Sequence, residues 1–200
     1  MIKYILASGS PRRRELLEQI GLNFEISQAH KEEIITKKTP EDIVEELSHQ
    51  KASEVAERYL QRYQNDTIVI IGADTIVVHR NEVMGKPRDR NDATAMLTKL
   101  QGDSHQVYTG VTLVLLGKEA QKRKQESVTF YEKTDVHMYP MTLEQIAAYV
   151  ATEEPMDKAG AYAIQGKCAA FIKSINGEYN NVVGLPVGRL MQELLARKLV

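Results

Sequence analysis

The chain has 200 residues, and its 26 Lys and Arg against 27 Asp and Glu leave a formal net charge of −1 with the five His neutral. At 42% hydrophobic and 26% charged it has the make-up of an ordinary globular protein with room for a sizeable core. That balance gives no support to a surface that wraps nucleic acid or lies on anionic lipid, though a local basic pocket for a small anion is allowed.

The lone Cys168 cannot form an intramolecular disulfide, which fits a reducing compartment. No apolar run reaches the roughly 18 residues that span a bilayer, and the N-terminus leads into a strand instead of a signal peptide. The expected location is the cytoplasm, with no membrane and no nucleic acid as partner.

Ile2 to Ala7 reads as a strand ending at Ser8-Gly9-Ser10-Pro11, after which Leu16, Leu17 and Ile20 recur at helical spacing until Gly21. Ser10 is a suitable N-cap and Pro11 falls at the first helical position. Thr39-Pro40 opens a helix reaching about Tyr63, with Ile43, Val44, Leu47, Val55, Tyr59 and Leu60 on its apolar side. Thr67 to Ile71 is a β-branched run suited to a strand buried on both faces, interrupted by Gly72-Ala73-Asp74-Thr75 before Ile76-Val77-Val78 resumes.

Asp92 to Leu100 reads as a helix closed by Gly102, and Gln106 to Leu116 with Ser127 to Met138 as a strand pair. The charged stretch Gly117 to Glu126 between them reads as a solvated hairpin tip. A nucleic-acid patch there lacks aromatic interleaving. Thr142 and Gln145 form a capping-box pattern opening a helix to about Val150. Glu153 to Gly166 should be a structured loop, and Asn176-Gly177 between two apolar runs is a strong hairpin signal. A final helix from about Val187 uses Leu190, Met191, Leu194 and Leu195. These elements predict one domain over residues 1–200, an α/β fold with a mixed sheet and helices around it.

Ser8-Gly9-Ser10-Pro11-Arg12-Arg13 couples a small-residue loop, a helix N-terminus and two cations, which outlines a phosphate cradle. A capped surface helix with solvated arginines is the other reading of the same residues. Asp74, directly after a buried strand and flanked by small residues, is expected at the strand's carboxyl end, where sites collect, or else in a corner. Lys51 falls on the apolar stripe of its own helix, so it must snorkel out or meet an anion. Lys86 lies between Gly85 and Pro87, and Asp157-Lys158 is a charged pair in a loop. Glu32-Glu33 is a solvated pair or supplies a metal ligand beside Asp74. Cations, a phosphate-type loop and carboxylates that suit a hard divalent cation together match cleavage of a nucleotide polyphosphate. The sequence has no Gly-x-Ser-x-Gly elbow, no phosphate-binding glycine fingerprint and no zinc spacing.

Leu6-Ala-Ser-Gly-Ser-Pro-Arg-Arg13, Ile71-Gly-Ala-Asp-Thr-Ile76, Gly85-Lys-Pro87, Glu154 to Tyr162, Ile164-Gln-Gly166 and Gly184-Leu-Pro186 closely resemble the Maf family of nucleoside triphosphate pyrophosphatases. The resemblance implies an elongated, twisted mixed sheet of the inosine triphosphate pyrophosphatase kind, with two lobes around a central cleft, and commonly a homodimer. It implies a nucleotide diphosphatase releasing pyrophosphate with a divalent metal, Mg or Mn, and a link to septum control in cell division. Carried over by position, Asp74 is the catalytic carboxylate, as general base or metal ligand, and Glu33 a second acidic position able to bind the metal. Ser8, Arg13, Lys51 and Lys86 hold the triphosphate, while Asp157 and Lys158 line the cleft. Arg12, Thr75 and Gln165 match the marks of the branch acting on dTTP and UTP, or on modified pyrimidine nucleotides. The branch acting on 7-methyl-GTP resembles a Ser-Pro-Trp-Arg form that this sequence lacks. The rival function is a non-catalytic nucleotide-binding regulator of septum formation, which would use the cradle but not need Asp74.

Overall fold

The structure, a computed structural model, describes residues 1–60, 66–117 and 125–200. In chain order its elements are β1 (Ile2–Leu6), α1 (Pro11–Gln19), β2 (Phe24–Ile26), α2 (Pro40–Leu60), β3 (Thr67–His79), β4 (Glu82–Met84), α3 (Arg90–Leu100), β5 (Ser104–Leu116) and β6 (Gln125–Met138). Then come α4 (Leu143–Val150), 3-10 turns at Glu154–Asp157, Ala159–Ala161 and Lys167–Phe171, β7 (Ile172–Asn176), α5 (Tyr179–Val183) and α6 (Val187–Ala196). The seven strands form a mixed sheet in the order β2-β1-β3-β5-β6-β7, with β4 on β3. β1 runs parallel to β2 and β3, whereas β4 and β7 join antiparallel. Among the described residues no helix is long and apolar enough to cross a membrane.

By contacts the chain divides into two units. The first holds Met1–Asp74, Thr109–Glu132 and Gly184–Val200, and the second Thr75–Tyr108 and Lys133–Val183. In the first, Ile68 to Ile71 are all buried, as a strand covered on both faces requires. Alternate residues Ile5 and Ala7, Ile68 and Ile70, and Val114 and Leu116 put one apolar sheet face against Ala52, Val55, Ala56 and Tyr59 of α2. This helix lies unusually close to the sheet. A Cβ on Gly110 would stand 2.1 Å from the Val44 carbonyl oxygen, and one on Gly72 2.4 Å from that of Ser48, one helical turn further on. The Ser48 hydroxyl meets Thr112 Oγ1 at 2.9 Å, and that hydroxyl meets Thr129 Oγ1 at 2.9 Å, so the polar groups under the helix satisfy one another.

Along the other side of α2 the segment 30–37, without regular structure, is tied down by side chains four residues apart. The Glu54 carboxylate accepts from the amides of His30 and Lys31, Gln50 exchanges hydrogen bonds with both backbone groups of Ile34, and Glu46 accepts from the amide and hydroxyl of Thr36 and the amide of Lys37. The strap therefore runs antiparallel to α2 and carries Glu33 past Lys51.

In the second unit, α4 opens with the expected capping box of Thr142 and Gln145, and Asp89 caps α3. His105 and Tyr162 are both buried and share a hydrogen bond of 2.7 Å. Burial lowers the His105 imidazole to about 4.

Several expectations are corrected. β3 is not interrupted at Gly72 to Thr75: the ladder runs unbroken from Thr67 to His79, because Gly72 serves the approach of α2 and not a corner. Asp74 consequently lies inside a strand and not at its carboxyl end. Asn176-Gly177 does not turn a hairpin between two strands, since β7 pairs back onto β6 and the chain after Gly177 becomes α5. There the buried Asn181 amide donates to the Val107 carbonyl and Thr134 Oγ1, tertiary bonds that override the local turn preference. Ser10 occupies the N-cap of α1 without a side-chain cap bond, and Leu60 of α2 and Leu195 of α6, both expected on apolar faces, are exposed. The charged stretch expected as a hairpin tip falls largely on residues 118–124, and the last turn expected of α2 on 61–65, both outside the described residues.

Two predictions follow from this packing. Gly110→Ala forces backbone apart where no side chain can yield, so it should destabilise by about 1–3 kcal/mol and lower the urea midpoint. Gly117→Ala, which meets nothing within 4 Å, should not. The second prediction concerns acid. Glu46 is held below the ordinary 4.5, first by the Thr36 hydroxyl. Burial raises Glu54, but the His30 and Lys31 amides outweigh it and leave the group lowered. A carboxyl depressed by folding stabilises fully above its unfolded value and loses that contribution as pH falls through its folded value. Hydrogen exchange, normalised to intrinsic rates, should show protection at Lys31 and Thr36 constant above 4.5 and lost below it.

Candidate active site

β1 ends at Leu6, and the Ala7 amide still pairs with the Ile71 carbonyl at 2.8 Å, so Ser8 emerges beside β3 before the chain turns into α1. The buried Ser8 hydroxyl accepts from the Ser10 amide at 3.3 Å and from Arg13 Nη1 at 3.1 Å. Arg13 Nε donates to the Gly184 carbonyl at 2.8 Å, which fixes the guanidinium over the loop. Burial lowers the Arg13 pKa, and the nearby negative charge of Asp74 opposes that shift. Ser8 and Arg13 are thus held together where the loop enters the N-terminus of α1, an arrangement that suits an anion. Arg12 is partly buried on the first turn of the same helix.

The second cluster follows from the glycine seat. Gly72 and Asp74 are two residues apart on β3, so both face α2, and Lys51 lies three residues beyond Ser48, the helix residue seated on Gly72. Lys51 Nζ consequently sits 2.5 Å from Asp74 Oδ1 and 3.0 Å from Glu33 Oε1 on the strap. The Asp74 and Lys51 side chains are only 12% and 18% exposed, so this pair is shielded from water in a way that surface ion pairs are not. Lys51 does not snorkel: it meets anions, the second of the two outcomes its place on an apolar stripe allowed.

The remaining predicted residues belong to the second unit. Thr75 follows Asp74 on β3 and is partly buried. Lys86 is exposed in the loop between β4 and α3, where the Gly85 carbonyl accepts from the Gly160 amide at 3.0 Å. Gly160 has φ +67 and packs on Val77, a conformation and a spacing that both disfavour a side chain. Lys158 Nζ pairs with Asp157 Oδ1 at 2.5 Å and donates to the Glu154 carbonyl at 2.7 Å. Gln165 is exposed at the turn Ala163–Gly166.

Sequence reasoning missed Glu154 and Tyr149. The Glu154 carboxylate accepts from the Tyr149 hydroxyl and the Lys167 amide, and the Tyr149 hydroxyl accepts from the Ala163 amide. Burial raises the Tyr149 phenol far above its ordinary value, so it stays protonated and can donate. Glu154 stands in one of the quoted motifs, but a glutamate in a charged loop carries no sign that it folds back on a turn nine residues away. Cys168 is buried and pushed up to about 12, first by burial, which makes it inert as a nucleophile.

Chemically, the first unit offers an anchored guanidinium at a helix N-terminus and two carboxylates converging on one ammonium. The carboxylates suit a hard divalent cation, although among the described residues no group of three or more His, Cys, Asp or Glu could hold a metal.

The chain matches the family model described as Maf-like protein over residues 3–197. It is 52% identical to a dTTP/UTP pyrophosphatase of Agathobacter rectalis, covering 97% of both chains. It is 48% identical to the protein of that name from Bacillus cytotoxicus, and 45% to that from Lachnoclostridium phytofermentans, covering 97% of this chain and 95% and 94% of theirs. A solved nucleoside-triphosphatase, or dITP/XTP pyrophosphatase, from Mycobacterium abscessus matches weakly, with a TM-score of 0.35 and 15% identity over 68% of this chain and 74% of that one. With a family model and relatives this similar running along nearly its whole length, the chain belongs to the Maf family.

Proposed function

We propose that the protein is a nucleoside triphosphate pyrophosphatase that hydrolyses dTTP and UTP to the nucleoside monophosphate and pyrophosphate. The observation that carries this reading is the shielded cluster of Lys51 with Asp74 and Glu33, in a chain whose relatives bear that name. Water attacks the α-phosphorus, the bond to the α–β bridging oxygen breaks, and that oxygen leaves with pyrophosphate. Asp74 orients the water and accepts its proton. Ser8, Arg13, Lys51 and Lys86 meet the phosphate charge, and Asp157 and Lys158 complete the binding set. Arg12, Thr75 and Gln165 read the base.

Asp74 and Glu33 would hold a divalent cation, Mg or Mn. When bound, it supplies charge neutralisation along the phosphates. Dimerisation, cytoplasmic location and the nucleotide diphosphatase reaction class enter this reading through the family resemblance alone.

The experiment is hydrolysis of a nucleotide panel with divalent metal, with products separated. Pyrophosphate and the monophosphate are expected, with kcat/KM for dTTP and UTP above that for CTP, dATP and GTP. Orthophosphate and a diphosphate as primary products, or 7-methyl-GTP as the best substrate, would overturn the reading. Asp74→Asn should lower kcat at least about a hundredfold with circular dichroism unchanged, and Glu33→Gln should impair turnover more mildly. An Asp74→Asn enzyme within a few-fold of wild type would put the reacting centre elsewhere.

A further inference from the structure

Gln165 and Ile164 are the central residues of the turn Ala163–Gly166, which is closed by the Gly166 amide donating to the Ala163 carbonyl at 3.2 Å. A single pair of side chains ties down both flanks of that turn. On one flank the Ala163 amide donates to the Tyr149 hydroxyl at 3.1 Å. On the other, the Lys167 amide donates to Glu154 Oε1 and Oε2 at 3.1 and 3.2 Å. Tyr149 then donates to Glu154 Oε1 at 2.8 Å, which joins the two flanks.

The carboxylate lies directly on the turn. A Cβ on Gly166 would stand 2.1 Å from Glu154 Oε1, so this position admits only glycine while Glu154 is in place. Tyr149 is rigid, being 4% exposed in α4. Glu154 is fixed through its backbone as well, because Lys158 Nζ donates to its carbonyl at 2.7 Å.

A glutamine amide carries a donor and an acceptor at one tip, so after a flip it can pair with either the O4 carbonyl of uracil or the amino group of cytosine. Discrimination by such a group requires that its direction be imposed from outside the side chain. What the structure imposes is the backbone on both sides, which fixes where the Gln165 side chain starts and so which edge of a base its amide can reach. We propose that Glu154 and Tyr149 are positioning residues for base selection, holding the turn so that Gln165 is offered to the nucleobase from one fixed backbone position. The proposal rests on Gln165 reading the base, as in the proposed function.

The test is the ratio of kcat/KM for UTP over CTP in wild type, Tyr149→Phe, Glu154→Gln, Gln165→Ala and the double variant Tyr149→Phe with Gln165→Ala. Gln165→Ala should lower the ratio about tenfold, the size of one mispaired hydrogen bond. Tyr149→Phe and Glu154→Gln should each lower it about fivefold while kcat for UTP stays within about threefold of wild type. The double variant should show no lower ratio than Gln165→Ala, since removing the amide leaves nothing to position. A purely structural role would change the urea midpoint and leave the ratio alone. If Glu154→Gln does not fold, Tyr149→Phe decides, because it removes one hydroxyl and keeps the ring. A ratio unchanged in Tyr149→Phe but lowered in Gln165→Ala would overturn the positioning role and spare the base reading. A ratio unchanged in Gln165→Ala would overturn the base reading itself. Independent, multiplying losses in the double variant would show action by another route and overturn the proposal.

Discussion

The distance between α2 and the sheet is set by two absent side chains, and much of the first unit depends on it. At Gly72 and Gly110 the helix backbone of Ser48 and Val44 occupies the space that a Cβ would fill. Both contacts are on one helix stripe, one turn apart, so they fix the height, rotation and register of α2 together. The hydroxyls of Ser48, Thr112 and Thr129 then satisfy one another in the shallow space left beneath. A helix standing further off would leave those hydroxyls unpaired and would place Lys51 out of reach of Asp74.

The electrostatics build on that register. One ammonium between two carboxylates leaves the group as a whole negative, while the neighbouring cradle, with Arg13 anchored on Ser8 and Gly184, is positive. A polyanion with its counter-cation needs both kinds of surface. Lys51 is held by its two carboxylates, so the fold alone fixes where its ammonium stands.

The sequence is legible where local chemistry and tertiary demand agree. The Thr142 capping box, most of the apolar stripe of α2 and the buried run of β3 all appear in the structure because the local pattern of each agrees with what packs around it. Lys51 was informative for the opposite reason: an ammonium on an apolar stripe conflicts with its surroundings, and the structure resolves the conflict with the carboxylates of Asp74 and Glu33. Gly72 and Asn176-Gly177 misled because a glycine means a turn only when its own backbone requires one. At Gly72 the requirement belongs to the helix above, and after Gly177 the buried amide of Asn181 decides the path. Glu154 was silent, since its partners are backbone amides and amides leave no trace in sequence.

The strap over residues 30–37 is held by backbone bonds to three side chains of α2, with the side chains of Lys31, Glu33 and Thr36 adding to them. Its amides and the Ile34 carbonyl are bound by Glu46, Gln50 and Glu54, while the side chains of Ile34 and Ile35 remain exposed. Much of the information that keeps this segment in place is therefore written in the helix. Ile34 and Ile35 are exposed and take no part in holding the segment through their side chains, whereas a substitution at Glu46, Gln50 or Glu54 would loosen a stretch of chain it does not belong to.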